Sequence, residues 1–542
     1  MATRHALKRD EIGTKNPHIF NRFRSTIESA FYKNNVINVT SLEEAYRLAK
    51  NSEGTIVTDL PVYRSEDLGL PEDAKVLLTN DGKITGRQAK ARRILTKDTA
   101  DDYASIAREA IFHGRETSMY KASVIIGLDE AFSVKAHLLV PVGYEHILYS
   151  WMLNFQVMTD TFKDMYKHSK VYDEGDIFIY ADPDYLLKDH EEGISIFDRD
   201  HNALALFGMR YFGEFKKGTL TLAWSIAERQ GFTPCHGGMK TLNCGNRDFV
   251  MGVFGLSGSG KSTITHATHG KEGAPDVLHD DAFVIRNEDL MSVSMEPSYF
   301  DKVQDYPTSS KDNRFLLTIQ NVGATLDEDG LIVPVTEDIR NGNGRAVKSV
   351  FWTPKRHFAF KSPLNAVFWI MKDDALPPVM KIEDPVLAST FGATLATKRT
   401  SAEYGVKTGS LTFEPYANPF RLYPLSSDYA HFKSMFEDHG VECYILNTGE
   451  YAGKNIDKDT TLSAIESIAL DKAVFEPFLG SKVLKTMPIK AFGALEADPE
   501  KVSERLTARI EYLNALKGEN RLPEETVNAL KTLLDAFGDD SH

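Results

Sequence analysis

The chain has 542 residues, 42% hydrophobic and 26% charged, a soluble globular composition too long for one compact core, so about two to four domains are expected. A net charge of -14 argues against general nucleic-acid binding, which wants a basic surface, but leaves room for a small basic pocket that takes an anionic substrate. No apolar run approaches the roughly 18 residues of a membrane span, and the opening MATRHALKRDEIGTKNPHIF lacks the hydrophobic segment of a secretory signal.

Residues 1–50 read as helical. Phe20, Phe23, Ile27 and Phe31 recur at helical spacing, a stripe expected in the core, and Ser41-Leu42-Glu43-Glu44 opens like a capped helix. From about 55 to 95, short apolar runs alternate with turns such as Asn80-Asp81-Gly82, and a basic segment runs from Thr85-Gly86-Arg87 to Arg92-Arg93. Asp98 to Arg115 predicts a helix, Phe132 to Val140 a strand, the stretch through Trp151 and Phe155 an aromatic-rich helix, and Asp176 to Tyr180 a further strand. Cys235, Cys244 and Cys443 show no CxxC spacing, which fits a reducing cytoplasm without structural disulfides.

The second half starts with Gly255-Leu256-Ser257-Gly258-Ser259-Gly260-Lys261-Ser262, which fits the phosphate-binding pattern GxxxxGK plus Ser or Thr without a mismatch. Phe249 to Phe254 ahead of it reads as a buried strand, and Ser262 to Ala267 behind it can open a helix, the context the pattern needs. Glycines let the backbone curl so that several N–H groups point at one anion, and the helix N-terminus adds partial positive charge. Ser257, Gly258, Ser259, Gly260, Lys261, Ser262 and Thr263 are therefore the expected nucleotide-phosphate site. Lys261 can reach the terminal phosphates, and the Ser262 hydroxyl can ligate a divalent cation. The alternative is an ordinary Gly/Ser turn before a helix.

Strand-like runs recur at Val277-Leu278, Leu331-Ile332-Val333, Val350-Phe351-Trp352, Ala366 to Ile370 and Cys443 to Leu446. Val502/Leu506/Ile510/Leu513 and Val527/Leu530/Leu533/Leu534 predict two amphipathic helices. The expected fold is α/β and bilobal: a mixed α+β lobe over 1–235, and a lobe over 236–542 with the phosphate loop and a helical tail.

A phosphate loop works with a carboxylate at the end of a neighbouring strand. Val277-Leu278-His279-Asp280-Asp281 offers two, although alone the pair reads equally as a solvated turn. Lys216-Lys217-Gly218 alone reads as a solvated hairpin turn, His236 as a loop histidine, and the Arg87 segment as solvated surface.

Their order changes that reading, because the ordered set resembles the ATP-dependent class of phosphoenolpyruvate carboxykinases. Thr85-Gly86-Arg87 is similar to that family's TGR segment, and Tyr211 to Gly218 to its WYGGEMKKG segment. His236 falls where the family's metal-binding histidine lies. Gly255 to Thr263 resembles the family's GLSGTGKTT loop, and Asp280-Asp281 its GDDEH segment. Leu376-Pro377-Pro378-Val379 resembles its LPPV element, and Asn447-Thr448-Gly449 its NTGW element. The resemblance spans roughly residues 80 to 515.

It implies the bilobal carboxykinase fold and the reversible decarboxylation of oxaloacetate, with phosphorylation of the enolate by a nucleoside triphosphate, ATP being expected. Lys217, His236 and Asp281 would hold Mn²⁺, the lysine as its neutral amine. Ser262 would hold the nucleotide's Mg²⁺, with Asp280 in its outer shell. Lys216 and Lys261 would neutralise charge on the phosphoryl group, Arg87 would clamp the substrate carboxylate, Arg345 would touch substrate and γ-phosphate, and Tyr211 would sit near CO₂. Small-molecule substrates, no nucleic acid, no membrane and a monomer or small homo-oligomer complete the expectation.

The sequence also departs from the family. Phe212 replaces a glycine beside Tyr211, and His279-Asp280-Asp281-Ala282-Phe283 stands for GDDEH. Glu450 replaces a tryptophan, and Gly453-Lys454-Asn455-Ile456 lacks a nucleotide-contacting arginine. Two other classes remain: a kinase of the same fold acting on another small acid or a protein serine, and a nucleotide-binding regulator without catalysis.

Overall fold

The computed structural model describes residues 21–82, 91–245, 247–256, 258–269, 274–303, 306–337, 344–398, 411–493 and 497–539. It is a mixed α/β chain in two compact units. One contains residues up to Gln230 together with Met295–Trp352; the other contains Gly231–Ser294 and Thr353–His542. The segment Met295–Trp352, which follows the phosphate loop in sequence, thus belongs with the first unit.

Strand pairing explains that membership. Leu316–Gln320 lies parallel to Lys75–Thr79 and antiparallel to Arg345–Lys348, inside a five-stranded sheet that also holds Thr55–Pro61 and Tyr299–Lys302. A second, eight-stranded sheet has Phe132–Pro141, Ile177–Asp182 and Ala203–Phe207 at its centre. Helix Phe212–Arg229 is buried along most of its length. It packs closely enough that a Cβ on Gly218 would stand 2.6 Å from Leu204 Cδ2. Lys216-Lys217-Gly218 is therefore helical, not a solvated turn, because this helix is covered by the sheet.

The expected N-terminal helix appears as Arg22–Ala30, burying Phe23 and Ile27; Phe20 lies outside the described residues. Ser41 caps Leu42–Lys50 by accepting from Glu44 N, as its sequence predicts. Val350–Trp352 is the exception among the expected strands. It is a short 3₁₀ turn, closed by Trp352 N donating to Ser349 O, with the Lys348 ammonium over the Trp352 ring.

The second unit is built on an eight-stranded sheet. Its three central strands, Asp248–Gly255, Ala366–Met371 and Glu442–Asn447, are parallel neighbours buried on both faces, which suits their near-continuous apolar sequence. A four-stranded sheet pairs Phe232–His236 with Ala282–Arg286. The tail forms Pro499–Ala515 and Glu524–Asp539; the first buries Val502, Leu506 and Leu513, and Leu530 and Leu533 of the second are buried too. Among the described residues, no helix is long and apolar enough to cross a membrane.

Candidate active site

The phosphate loop leaves the strand Asp248–Gly255 and runs into the short helix Lys261–His266. Gly258 and Gly260 have φ of 77° and 99°, values a side chain would strain. A Cβ on Gly255 would stand 2.4 Å from Ser259 Oγ, so the loop folds back onto the end of its own strand. Thr448 Oγ1 donates to Ser259 O at 2.7 Å and anchors the loop from the end of a parallel strand. Ser262 and Thr263 are exposed, Lys261 half-buried; Ser257 lies outside the described residues.

A helix of six residues does not stand alone. Gly238 lets it sit against the sheet: a Cβ there would collide with Thr265 Oγ1 at 1.9 Å. The buried Lys240 holds its other end. Lys240 Nζ donates to Ile264 O, to Ala267 O at 3.2 Å and to His269 Nε2 at 2.7 Å. Those acceptors match the three protons of an ammonium at a helix C-terminus. Burial, then Lys458, pushes Lys240 down to about 7, and burial, then Lys240, pushes His269 down to about 3.

The unfolded chain therefore holds a proton that the folded chain gives up between about pH 7 and pH 10.5. Stability should rise with pH across that window, by up to about 1.4 kcal/mol per pH unit from this group. In urea unfolding at pH 7, 8 and 9, the stability difference between wild type and Lys240→Met should grow with pH. A constant difference would remove the assignment.

Beside the loop lies a cavity of about 170 Å³, lined by residues that include Ser259, Gly260, Thr263, Lys372, Thr448 and Lys458. Two lysines, Lys372 and Lys458, and one carboxylate, Asp457, thus line this space, a net positive balance. No motif announced either lysine. Asn447 Nδ2 donates to Asp373 O, Leu376 O and Glu450 O, which ties the LPPV-like and NTG segments into one wall. Glu450 itself is exposed.

Asp280 and Asp281 follow the strand Asp276–His279, where the sequence puts a carboxylate pair. Asp280 is buried, with Oδ2 3.4 Å from His266 Nε2 on the loop helix. Asp280 Oδ1 has no hydrogen-bond partner among the described residues, a costly state for a buried carboxylate oxygen unless a cation or its water meets it. Asp281 Oδ1 is 3.0 Å from His236 Nε2. His236 Nδ1 donates to Ala417 O, so Nε2, which meets the Asp281 carboxylate, is the nitrogen that a cation would take in place of its proton. Two cis ligands of an octahedral divalent ion with bonds of about 2.1 Å lie about 3 Å apart, so this pair fits one edge of such a site.

His279 was missed by sequence reasoning. Its Nδ1 accepts from Asp281 N at 2.8 Å and Ala282 N at 3.2 Å, so it shapes the turn that carries both aspartates. Among the described residues, no three His, Cys, Asp or Glu side chains could hold a metal together. A further donor of another kind, such as an amine or a phosphate oxygen, is needed.

In the first unit, Tyr211 precedes the helix Phe212–Arg229, and its ring covers Gly213 so tightly that a Cβ would stand 2.2 Å from Cε1. Phe212, where the family has glycine, is buried edge-on against Phe300, 5.3 Å between centroids, so its bulk goes to the core. Phe212 N donates to Gln320 Oε1 at 3.0 Å, and Gln320 Nε2 donates to Asp81 O, joining the chain just before the TGR segment to Tyr211.

Gln320 sits opposite Thr79 on one side and Arg345 on the other. Arg345 is buried, and among the described residues its guanidinium has one partner, Gly344 O at 2.9 Å. Lys216 is not brought to an open surface. Its ammonium is fully buried, 2.8 Å from Glu296, which also accepts from Asn154. Lys217 is half-buried on the same helix; Arg87 lies outside the described residues.

A family model described as phosphoenolpyruvate carboxykinase, of the ATP-dependent class, matches residues 63–493. The chain is 23% identical over 411 residues to phosphoenolpyruvate carboxykinase (ATP) of Bradyrhizobium diazoefficiens, covering 70% of this chain and 72% of that one. It is 22% identical over 485 residues to the Saccharomyces cerevisiae protein of the same name, covering 80% and 83%. It is 22% identical over 480 residues to the glycosomal Trypanosoma brucei brucei protein, covering 81% and 94%. The ordered motifs and the matched family model together establish that the chain belongs to the ATP-dependent phosphoenolpyruvate carboxykinase family.

Proposed function

We propose that the chain performs its family's reaction, converting oxaloacetate and ATP to phosphoenolpyruvate, CO₂ and ADP, with the loop Gly255 to Thr263 holding the nucleotide's phosphates. The observation that carries this reading is the His236–Asp281 edge, whose histidine lies two residues before Gly238, the glycine on which the loop helix rests. A carboxykinase needs a cation there; a bare phosphate-binding module does not.

His236 and Asp281 would hold Mn²⁺, with Lys217 as the third ligand that the family resemblance supplies. Asp280, through its orphaned oxygen, and Ser262 would hold the nucleotide's Mg²⁺. Bound there, a divalent cation supplies Lewis acidity toward the keto oxygen of the substrate.

The chain's own groups do the rest. Lys261 and the loop N–H groups take up negative charge on the γ-phosphoryl as it leaves ADP for the enolate oxygen. Lys372 and Lys458 keep the neighbouring cavity favourable to phosphate. Arg345, buried and short of partners, grips a carboxylate or phosphate oxygen with its planar fork. Arg87 is assigned to the substrate carboxylate and Tyr211 to the CO₂ side.

Lys216, paired with Glu296 at 2.8 Å, is assigned with Lys261 to charge on the phosphoryl group. A reducing cytoplasm is the proposed setting, because Cys235, Cys244 and Cys443 form no disulfide among the described residues.

The test is a coupled assay with purified protein, Mn²⁺ and Mg²⁺, in which oxaloacetate meets ATP, GTP or pyrophosphate and phosphoenolpyruvate is detected. Product with ATP is the expected result. Product with another donor alone would reassign the nucleotide site. No product with any donor, alongside measurable nucleotide binding, would point to a different phosphoryl acceptor.

A further inference from the structure

Two consecutive residues without a glycine's freedom hold left-handed backbone in the second unit: Tyr416 at φ 53° and Ala417 at φ 55°. Neither residue type favours that region, where its Cβ crowds the following carbonyl. Such a pair persists only when its surroundings over-determine it, and such strain clusters at functional sites. The surroundings do over-determine it here. Tyr416 is buried, its ring stacked on Phe432 with 4.8 Å between centroids and 3° between planes. Its hydroxyl donates to Ser389 O at 2.9 Å. Ala417 N donates to Glu414 O at 3.0 Å, Asn418 N to Pro415 O at 3.0 Å, and Glu414 N to Leu395 O at 2.9 Å.

What this turn produces is one aimed carbonyl. Ala417 O accepts from His236 Nδ1. A carbonyl only accepts, so Nδ1 keeps its proton, and Nε2, 3.0 Å from the Asp281 carboxylate, is the atom that exchanges its own proton for a cation. Phe420, three residues on, meets the same imidazole edge-on at 5.5 Å and limits its rotation. Relaxing the turn would re-aim the carbonyl and free the ring to change tautomer.

We propose that the Tyr416–Ala417 turn is a positioning device for His236, whose carbonyl sets the tautomer and ring orientation that present Nε2 to a divalent cation shared with Asp281. The inference rests on the reading of His236 and Asp281 as metal ligands. It adds residues outside every motif that pointed to the site.

The experiment compares Ala417→Gly, Ala417→Asn and Ala417→Val, each checked for native circular dichroism. Mn²⁺ Kd is measured without nucleotide, from the free-ion electron paramagnetic resonance signal. Glycine and asparagine accept the left-handed region, so their Kd should match wild type. Valine, β-branched, resists it, and its Kd should rise about tenfold, the scale of a lost partner to a ligating histidine.

In protein labelled with ¹⁵N-histidine, the His236 signals, identified by their loss in His236→Ala, should show a protonated Nδ1 in wild type and Ala417→Gly. Ala417→Val should show mixed tautomers. A purely structural turn would change thermal stability and leave both readouts alone; equal Kd and equal tautomer in Gly and Val variants overturn the inference. His236→Ala separates the two levels. If it leaves Mn²⁺ binding unchanged, the ligand assignment fails, whatever Ala417→Val does. Should Ala417→Val not fold, Tyr416→Phe keeps the stacked ring and removes only the tether to Ser389. A raised Kd in that variant supports the device, and an unchanged Kd overturns it.

Discussion

Lys261→Ala is expected to lower kcat/KM for phosphoenolpyruvate formation by about 10³-fold while the circular dichroism spectrum stays unchanged. The geometry explains both halves. Lys261 is the first residue of the loop helix, half-buried, directly after Gly260 in its left-handed conformation. The helix behind it is only six residues long, so little of the positive potential comes from aligned peptide dipoles, and the lysine's charge carries more of it.

The helix itself is held by Lys240 and by its contact with Gly238, neither of which the substitution touches. Loss should therefore fall on the chemistry, not on folding. Lys261→Arg should recover little, because a guanidinium is a planar fork where a compact, rotatable ammonium is required. Rapid-quench measurement of the phosphoryl step, beside nucleotide binding by calorimetry, separates chemistry from affinity. Wild-type turnover in Lys261→Ala would exclude the loop from the reaction.

The parts of this site that were legible in the sequence are those fixed by contiguous residues. A strand, a glycine loop and a helix follow from one octapeptide with its flanks, and the Asp280–Asp281 pair follows from an apolar run that ends in carboxylates. Asp248–Gly255, Ala366–Met371 and Glu442–Asn447 were readable as strands because parallel strands buried on both faces leave unbroken apolar runs.

What was illegible is what a second, distant segment decides. Lys240 lies in an ordinary-looking strand, and only the end of the loop helix, some two dozen residues later, gives its ammonium three acceptors. Lys216-Lys217-Gly218 reads as a turn until a sheet covers it. Val350–Trp352 reads as a strand until Lys348 and Ser349 close it into a turn. The left-handed pair Tyr416–Ala417 carries no sequence cue, since glycine or asparagine is the residue that would advertise such backbone.

The departures from the family also take on physical meaning. Phe212 brings bulk next to Tyr211, yet its ring turns into the core against Phe300, so the tyrosine keeps its glycine at 213. His279, in place of glycine, supplies an acceptor for Asp281 N and Ala282 N, and so braces the turn. Substitution at these positions has moved the support of the site rather than its donors.

Asp281→Asn and His236→Ala are each expected to weaken Mn²⁺ binding by about 100-fold or more. Removing a group that merely supports a metal ligand already costs about 10- to 100-fold. A direct ligand should lie at or beyond the top of that range. Asp281→Asn keeps the shape and removes the charge, so it loses most of the attraction to a divalent ion. His236→Ala removes a neutral donor whose tautomer is fixed by Ala417 O, and should leave a site that recovers part of its turnover at high Mn²⁺. The two losses should not add, because each variant dismantles the same 3.0 Å edge.

Asp280→Asn should behave differently. Its buried, unpartnered Oδ1 is assigned to the nucleotide's Mg²⁺, so its defect should appear in the nucleotide titration while the Mn²⁺ Kd of the nucleotide-free protein stays near wild type. Titrating Mn²⁺ against these variants and the double variant, first without and then with ATP, gives each carboxylate its own readout. A Mn²⁺ curve unmoved by both Asp281→Asn and His236→Ala would mean that the pair is a structural contact and that the cation of this carboxykinase is held elsewhere.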